Sequence, residues 1–395
     1  MRWLLWPLVM LVLLLIPAIS ILAALTLQPS PSVTSAAAPT RADINTAKSV
    51  LNRFRAATSI TDGGREITLT EGEISSLLRL GERALPGARA AAQTSDGSVH
   101  LDASLPLRVL DGGPWINVSV TAPDFDDGVT LSAVQVGQLD VPPDFARYLG
   151  IRLADLWLGK GSGAELIEAF PSLQTRAGQS TLGMNVTADR RGDLARTLLS
   201  AFRGSDMPSG PEVDAYRQTL FKAFRDGTLQ PSGSFTDHLT FLLKEAYANG
   251  AAGDLGREYT AAVFALTRAC GSEHIRPYLG KLVPEGGLLD DAPIPPSVCG
   301  NAGLHDRVDL RRHFITAATL RAASNRGVAI SIGEFKELSD MGGSSGFDFT
   351  DIVANNSGIR LSDRMMSASA AEWPMILDML SDEAKVIATL DGIPG

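Results

Sequence analysis

Cysteine is nearly missing from this chain: Cys270 and Cys299 are the 2 present in 395 residues. They stand 29 apart with no second pair, which excludes a zinc ribbon, and no C-x-x-C occurs. Positive charge is in deficit, with 35 Lys and Arg against 44 Asp and Glu and a net charge of −9. With no basic run to offset it, that balance excludes a general nucleic-acid binder. Histidine is scarce at 5 residues, and neither H-E-x-x-H nor S-x-x-K nor a Gly-Lys-Ser/Thr phosphate loop is present. No cofactor motif is found and no metal is assigned: Cys270 and Cys299 with His274 and His305 would make a Cys2His2 set, but a disulfide is the favoured use of the two cysteines. What remains is ordinary for a folded chain: 45% hydrophobic and 20% charged residues. The length allows two or three domains.

Charge is also absent from Trp3 to Leu27, where Leu, Ile, Val, Ala and Trp dominate. About 20 residues rising about 1.5 Å each cross a hydrocarbon layer of ~30 Å, so the run is long enough to span. Arg2 and the amino terminus are the positive charges ahead of Arg41, which favours an N-terminus in the cytoplasm. The expectation is a single-pass anchor in the cytoplasmic (inner) membrane, with the bulk of the chain extracytoplasmic or periplasmic. The alternative is a cleaved signal peptide using Ala36-Ala37-Ala38. In an oxidising compartment Cys270 and Cys299 are expected to form a disulfide.

Gln28 to Thr40 reads as a Pro/Ser/Ala linker with neither charge nor periodicity. Ile44, Ala47, Val50, Leu51 and Phe54 give one apolar face to a helix over 42–57. Ile67 and Leu69 alternate with threonines as a strand, and Thr70-x-x-Glu73 is a capping box opening the next helix. Val99, Leu101, Ala103 and Leu105 alternate with His100, Asp102 and Ser104, and Ile116, Val118 and Val120 with Asn117 and Ser119. A third strand run spans Val129–Leu139; a helix over Pro143–Leu158 and a strand over Thr181–Ala188 follow. One-sided strands of this kind suit an antiparallel sheet. From Gly192 the spacing turns helical. The fold expected is α+β: anchor 1–27, linker 28–41, an antiparallel-sheet domain 42–191, then an all-α bundle 192–395.

Within Ile67–Tyr148 the order of strand, L-T-x-x-E helix, strands and VQVGQLDVPPDF resembles the YpmS-type group of membrane-anchored extracytoplasmic proteins. That resemblance implies a module held by one helix, with lipids among its candidate ligands. A second stretch, Asp309–Gly358, resembles the VanZ-like and YfiM-type pattern. The matching positions are Asp309, His313, Phe314, Gly333, Lys336, Glu337, Asp340, Asp351, Asn355 and Gly358. It departs from VanZ proper, whose helices are strongly apolar, since Arg311, Arg312, Arg321 and Arg326 make this segment look soluble or peripheral. An envelope location is implied, and no reaction comes with it.

The same stretch carries the candidate site. Asp309 and His313, four apart, share a helix face, as do Asp351 and Asn355. Three short helices are expected to aim His313, Glu337, Asp351 and Asn355 at one another, with Asp309, Lys336 and Asp340 as further ligand-binding candidates. A carboxylate of Glu337 or Asp351 beside His313 suits acid–base work, and the set also suits a divalent ion. The third possibility is a buried network that satisfies its own hydrogen bonds and fixes helix packing. That one is favoured, since no convincing nucleophile accompanies the cluster. Gly342–Gly346 reads as a turn, Phe347 and Phe349 as plugs of the bundle, Asp348 or Thr350 as a cap, and His238 as a helix-surface residue. The function expected is binding or scaffolding at the envelope, toward lipid or envelope glycan and without nucleic acid. The alternative is a hydrolase or transferase working through His313, Glu337 and Asp351.

Overall fold

The structure is a computed structural model that describes residues 20–34, 39–58, 65–85, 87–107, 113–158, 160–186, 207–250, 253–272, 298–332 and 348–387. The chain divides into two compact units, Met1–Leu194 and Ala195–Gly395.

The first unit is α+β. Residues 20–26 are helical and lead into β1 (Leu27–Gln28). No helix among the described residues is long and apolar enough to cross a membrane, and most of the Trp3–Leu27 run lies outside them. Helix α1 (Arg41–Thr58) buries Ile44, Ala47 and Val50, but Leu51 is exposed. The capping box between β2 (Arg65–Thr70) and α2 (Glu71–Ala84) forms as its spacing demands. Glu73 N donates to Thr70 Oγ1 at 3.3 Å, and Thr70 N donates to the Glu73 carboxylate at 2.9 Å. These helices close on a three-stranded sheet of β2, β9 (Gln179–Met184) and β8 (Ser172–Arg176), around Val50, Ile67, Leu69 and Met184.

The larger sheet is antiparallel. It runs β3 (Arg89–Ser95), β4 (Ser98–Pro106), β5 (Trp115–Pro123), β6 (Ala133–Val136) and β7 (Leu139–Asp140), with β1 also paired to β5. Strand β6 covers β5 from Val118 to Thr121, and β1 takes the bare stretch beyond, with Leu27 opposite Ile116. The expected Val129–Leu139 strand is broken, because Gly137 adopts φ 62 and turns the chain between β6 and β7. The last strand likewise stops at Met184. Register sorts the residues of β4 and β5 onto two faces. His100, Asp102 and Ser104 stand opposite Thr121, Ser119 and Asn117; Leu101, Ala103 and Leu105 stand opposite Val120, Val118 and Ile116.

The faces are covered differently. Across the polar face lies the segment expected to be a free linker. Asn117 Nδ2 donates to Gln28 Oε1 at 2.7 Å and to Ser30 O at 3.0 Å. Ser32 N donates to Asn117 Oδ1 at 3.0 Å, and Val33 N donates to Ser104 Oγ at 3.1 Å. On the apolar face, of its hydrophobic residues, only Ala92 and Val134 are buried, while Leu101 is 38% and Leu105 41% exposed. Helix α3 (Pro143–Leu158) and the shorter α4 (Ser162–Ala169) come between β7 and β8.

The second unit is helical: α5 (Gly210–Arg225), α6 (Phe235–Gly250), α7 (Leu255–Cys270), α8 (Val308–Ala323), α9 (Phe349–Ser367), α10 (Trp373–Met379) and α11 (Glu383–Val386). Helix α7 is buried on every side from Tyr259 to Cys270, which makes it the axis of the unit. Its hydroxyls are paired. Thr267 Oγ1 and Thr319 Oγ1 lie 2.5 Å apart, with Ile315 O 3.1 Å from the first and Val263 O 3.1 Å from the second, so that one hydroxyl donates to the other, which donates to its carbonyl. Tyr259 OH meets Ser362 Oγ at 2.7 Å, and Ser362 Oγ lies 2.7 Å from Ala318 O.

Candidate functional site

Helices α8 and α9 bring two of the sequence candidates, His313 and Asp351, together, and Gly358 permits it. A Cβ at Gly358 would stand 2.1 Å from Phe314 O, so the two backbones touch where any side chain would hold them apart. The contact sets His313 Nε2 3.2 Å from Asp351 Oδ2, with the side chains 11% and 16% exposed.

The other candidates are placed differently. Asp309 lies one turn before His313 but pairs with Arg307, its Oδ2 2.5 Å from Nη2. Asn355 is half-buried and, among the described residues, makes no hydrogen bond within the cluster. Lys336, Glu337 and Asp340, with the Gly342–Gly346 loop and Phe347, lie outside the described residues. Phe349 is not a plug, since it is exposed at the start of α9.

Arg307, which no spacing in the sequence singles out, is the hub. Its Nη2 also meets Asp348 Oδ2 at 2.8 Å, and its Nη1 donates to Thr350 Oγ1 at 2.9 Å. Asp348 caps α9 by accepting from Thr350 N at 2.8 Å. Burial opposes ionisation of Asp309 and Asp348, but the bonds from Arg307, and from Thr350 to Asp348, outweigh it. Both carboxyls are held below their ordinary value, and the Arg307 guanidinium is pushed up, chiefly by Asp309. Oxygens of Asp309, Asp348 and Asp351 all lie within 4.8 Å of one another, a spacing that a cation could use. Arg307 already supplies positive charge there, and by pairing with Asp309 and Asp348 together it braces the starts of two helices.

Arg311 corrects a second expectation: it is not a surface charge but only 4% exposed. Its guanidinium donates to Cys270 O at 3.1 Å, Cys299 O at 2.5 Å and Gly300 O at 3.3 Å, and also to Ala302 O. Burial pushes its pKa down to about 10. It thereby holds both ends of the Cys270–Cys299 disulfide, whose Cα atoms are 5.4 Å apart. His238 is also interior rather than on a helix surface. It is 1% exposed, with ring centroids of Phe224 at 5.2 Å and Phe235 at 6.0 Å, and burial lowers its pKa. Its place four residues before the buried Leu242 was the available signal.

In the first unit, a cavity of about 490 Å³ opens on the polar face of the large sheet beside His100, Ser119, Thr121, Gln135 and Asp140. His100 Nδ1 lies 2.9 Å from Thr121 Oγ1, while Nε2 lies 3.2 Å from Ser119 Oγ and 3.3 Å from Asp102 Oδ2. The imidazole thus meets a hydroxyl at each ring nitrogen, and Asp102 shares Nε2 with Ser119.

Compared with protein-family models, curated proteins and solved structures, the chain matches none.

Proposed function

We propose that this chain is a membrane-held binding protein of the cell envelope whose large sheet receives the apolar part of a lipid. One observation carries it: the regular apolar face of β4 and β5 has Leu101 and Leu105 open at 38% and 41%, with no buried cluster built on it among the described residues. A sheet face of Leu, Ile and Val is normally closed by a helix or a second sheet. An acyl chain supplies the same closure, at roughly 0.8 kcal/mol per buried methylene. The uncharged N-terminal run supports the membrane location, because it ends in β1 on the edge of this same sheet. In this proposal the anchor is a single pass and the bulk of the chain is extracytoplasmic. His313 and Asp351 serve packing, beside the brace that Arg307 forms with Asp309 and Asp348.

The test is displacement of a fluorescent fatty acid from the purified full-length chain, beside Leu101→Glu and Leu105→Glu. Saturable binding that both substitutions abolish is the expected result. Equal binding by wild type and both variants, or none by wild type, defeats the proposal.

A further inference from the structure

Helix α3 is turned the opposite way from an ordinary surface helix. Phe145, Leu149, Leu153 and Leu156 recur at steps of four, four and three and so form one stripe. With Tyr148 beside them, they are between 42% and 78% exposed. Ala146, Ile151, Ala154 and Asp155, on the other sides, are partly buried. A helix packed on a soluble core shows the reverse pattern. Its orientation is fixed, because a Cβ on Gly163 of α4 would stand 2.4 Å from Ile151 O. That close approach allows no rotation that would turn the stripe inward.

We infer that α3 is seated in the interfacial layer of the bilayer, its Phe145–Leu156 stripe among the lipid chains. The inference rests on the proposal that the N-terminal run holds the chain at a membrane. The end of that run is clamped close by. Gln138 N donates to Leu25 O at 2.7 Å, and a Cβ on Gly137 would stand 2.4 Å from the same oxygen. Helix α3 begins five residues beyond Gln138, a reach of at most ~17 Å, and 16 residues make it about 24 Å long. A bilayer that holds the run therefore lies within reach of the stripe.

The chemistry selects the interface over an anionic surface. Asp144 and Asp155 balance Arg147 and Arg152 on α3, so attraction to charged headgroups cancels and apolar burial drives the docking. Arg152 lies 5.3 Å from the centroid of the Tyr148 ring and donates to its hydroxyl at 3.3 Å. A tyrosine and a long cation at the edge of an apolar stripe are the pair that spans the boundary between chains and headgroups.

The test uses the full-length chain reconstituted in neutral phosphatidylcholine vesicles, with the native disulfide intact. A fluorophore is placed on Leu149→Cys, Leu153→Cys or, as the off-stripe control, Arg147→Cys, and acyl-brominated lipid is the quencher. Quenching at least threefold stronger at 149 and 153 than at 147, unchanged on raising the salt, is expected. Equal quenching at all three sites overturns the inference, and so does none at 149 and 153. Crosslinking of position 149 to a second copy in place of quenching also overturns it, assigning the stripe to self-association. Fatty-acid binding at Leu101 is read separately, so loss of either result leaves the other measurable.

Discussion

Gly358 of α9 and Phe314 of α8 meet backbone to backbone, with room for no atom between the glycine Cα and the phenylalanine carbonyl oxygen. Every other feature of the His313 cluster depends on that contact, since it sets the separation of the two helices. A methyl group there must displace backbone rather than a mobile side chain. Gly358→Ala is expected to cost about 1–3 kcal/mol. The check is the midpoint of chemical denaturation, and an unchanged midpoint would mean that the helices are not in contact here.

His313→Ala leaves the Asp351 carboxylate without its imidazole in a mostly buried place. Stability should fall by about 1–3 kcal/mol. Asp309→Ala, at a half-exposed ion pair, should cost less than about 1 kcal/mol. Thermal melts of the two variants decide it: an equal or larger loss for Asp309→Ala would show that the half-exposed ion pair, and not the His313–Asp351 contact, carries the join.

Acid stability of the helical unit should depend on Glu212. Arg257 first, and then Ser209, hold its carboxyl down to about 2 from the ordinary 4.5. A carboxyl lowered by folding stabilises above its unfolded value, and the gain disappears as pH drops toward the folded one. The window is therefore pH 4.5 to about 2. Both side chains are more than a third exposed, so screening limits the effect to about 1 kcal/mol. Arg257→Met should flatten the stability–pH curve in that window, and urea melts at pH 5 and pH 3 measure the change. A curve of unaltered slope would show that the pair contributes nothing.

The disulfide and Arg311 secure the same turn by separate means. Breaking the bridge as Cys270→Ala with Cys299→Ala frees a loop of 29 residues and should cost roughly 3–4 kcal/mol on chain-entropy grounds. Arg311→Met leaves buried carbonyls unpaired, at about 1–3 kcal/mol for each one that water does not reach. Because both tie Cys270 to Cys299, their effects should couple. Denaturation of the single and combined variants gives the coupling energy, and simple additivity refutes the shared role.

Much of the fold is legible in local pattern. The Thr70–Glu73 box, the alternation along β4 and β5, and the limits of α3 depend on neighbours a few residues away, and these agree with the structure. Strand β3 is less legible, because Arg-Ala-Ala-Ala has no strand character until β4 pairs with it. The site divides in the same way. His313 and Asp351 follow from helical spacing on two helices. Arg307 does not, because its partner Asp348 is 41 residues on and only tertiary closure unites them. Arg311 and His238 are misplaced by composition for a related reason. A charge or an imidazole reads as surface until the carbonyls or rings that receive it are in place.

The segment from Leu25 to Val33 has a practical consequence for where the protein can be cut. It supplies Gln138 with an acceptor, Ile116 with a strand partner, and Asn117 and Ser104 with bonds at the centre of the polar face. Ser104 is wholly buried and Asn117 nearly so, and removing the segment would leave them facing water. A fragment begun at the apparent boundary near Ala38 would thus be a damaged sheet rather than a trimmed domain. The same holds for a protease acting at Ala36-Ala37-Ala38. The smallest intact first unit starts upstream of Leu25, inside the apolar run itself, so the edge of the folded unit does not coincide with the change in composition after Leu27.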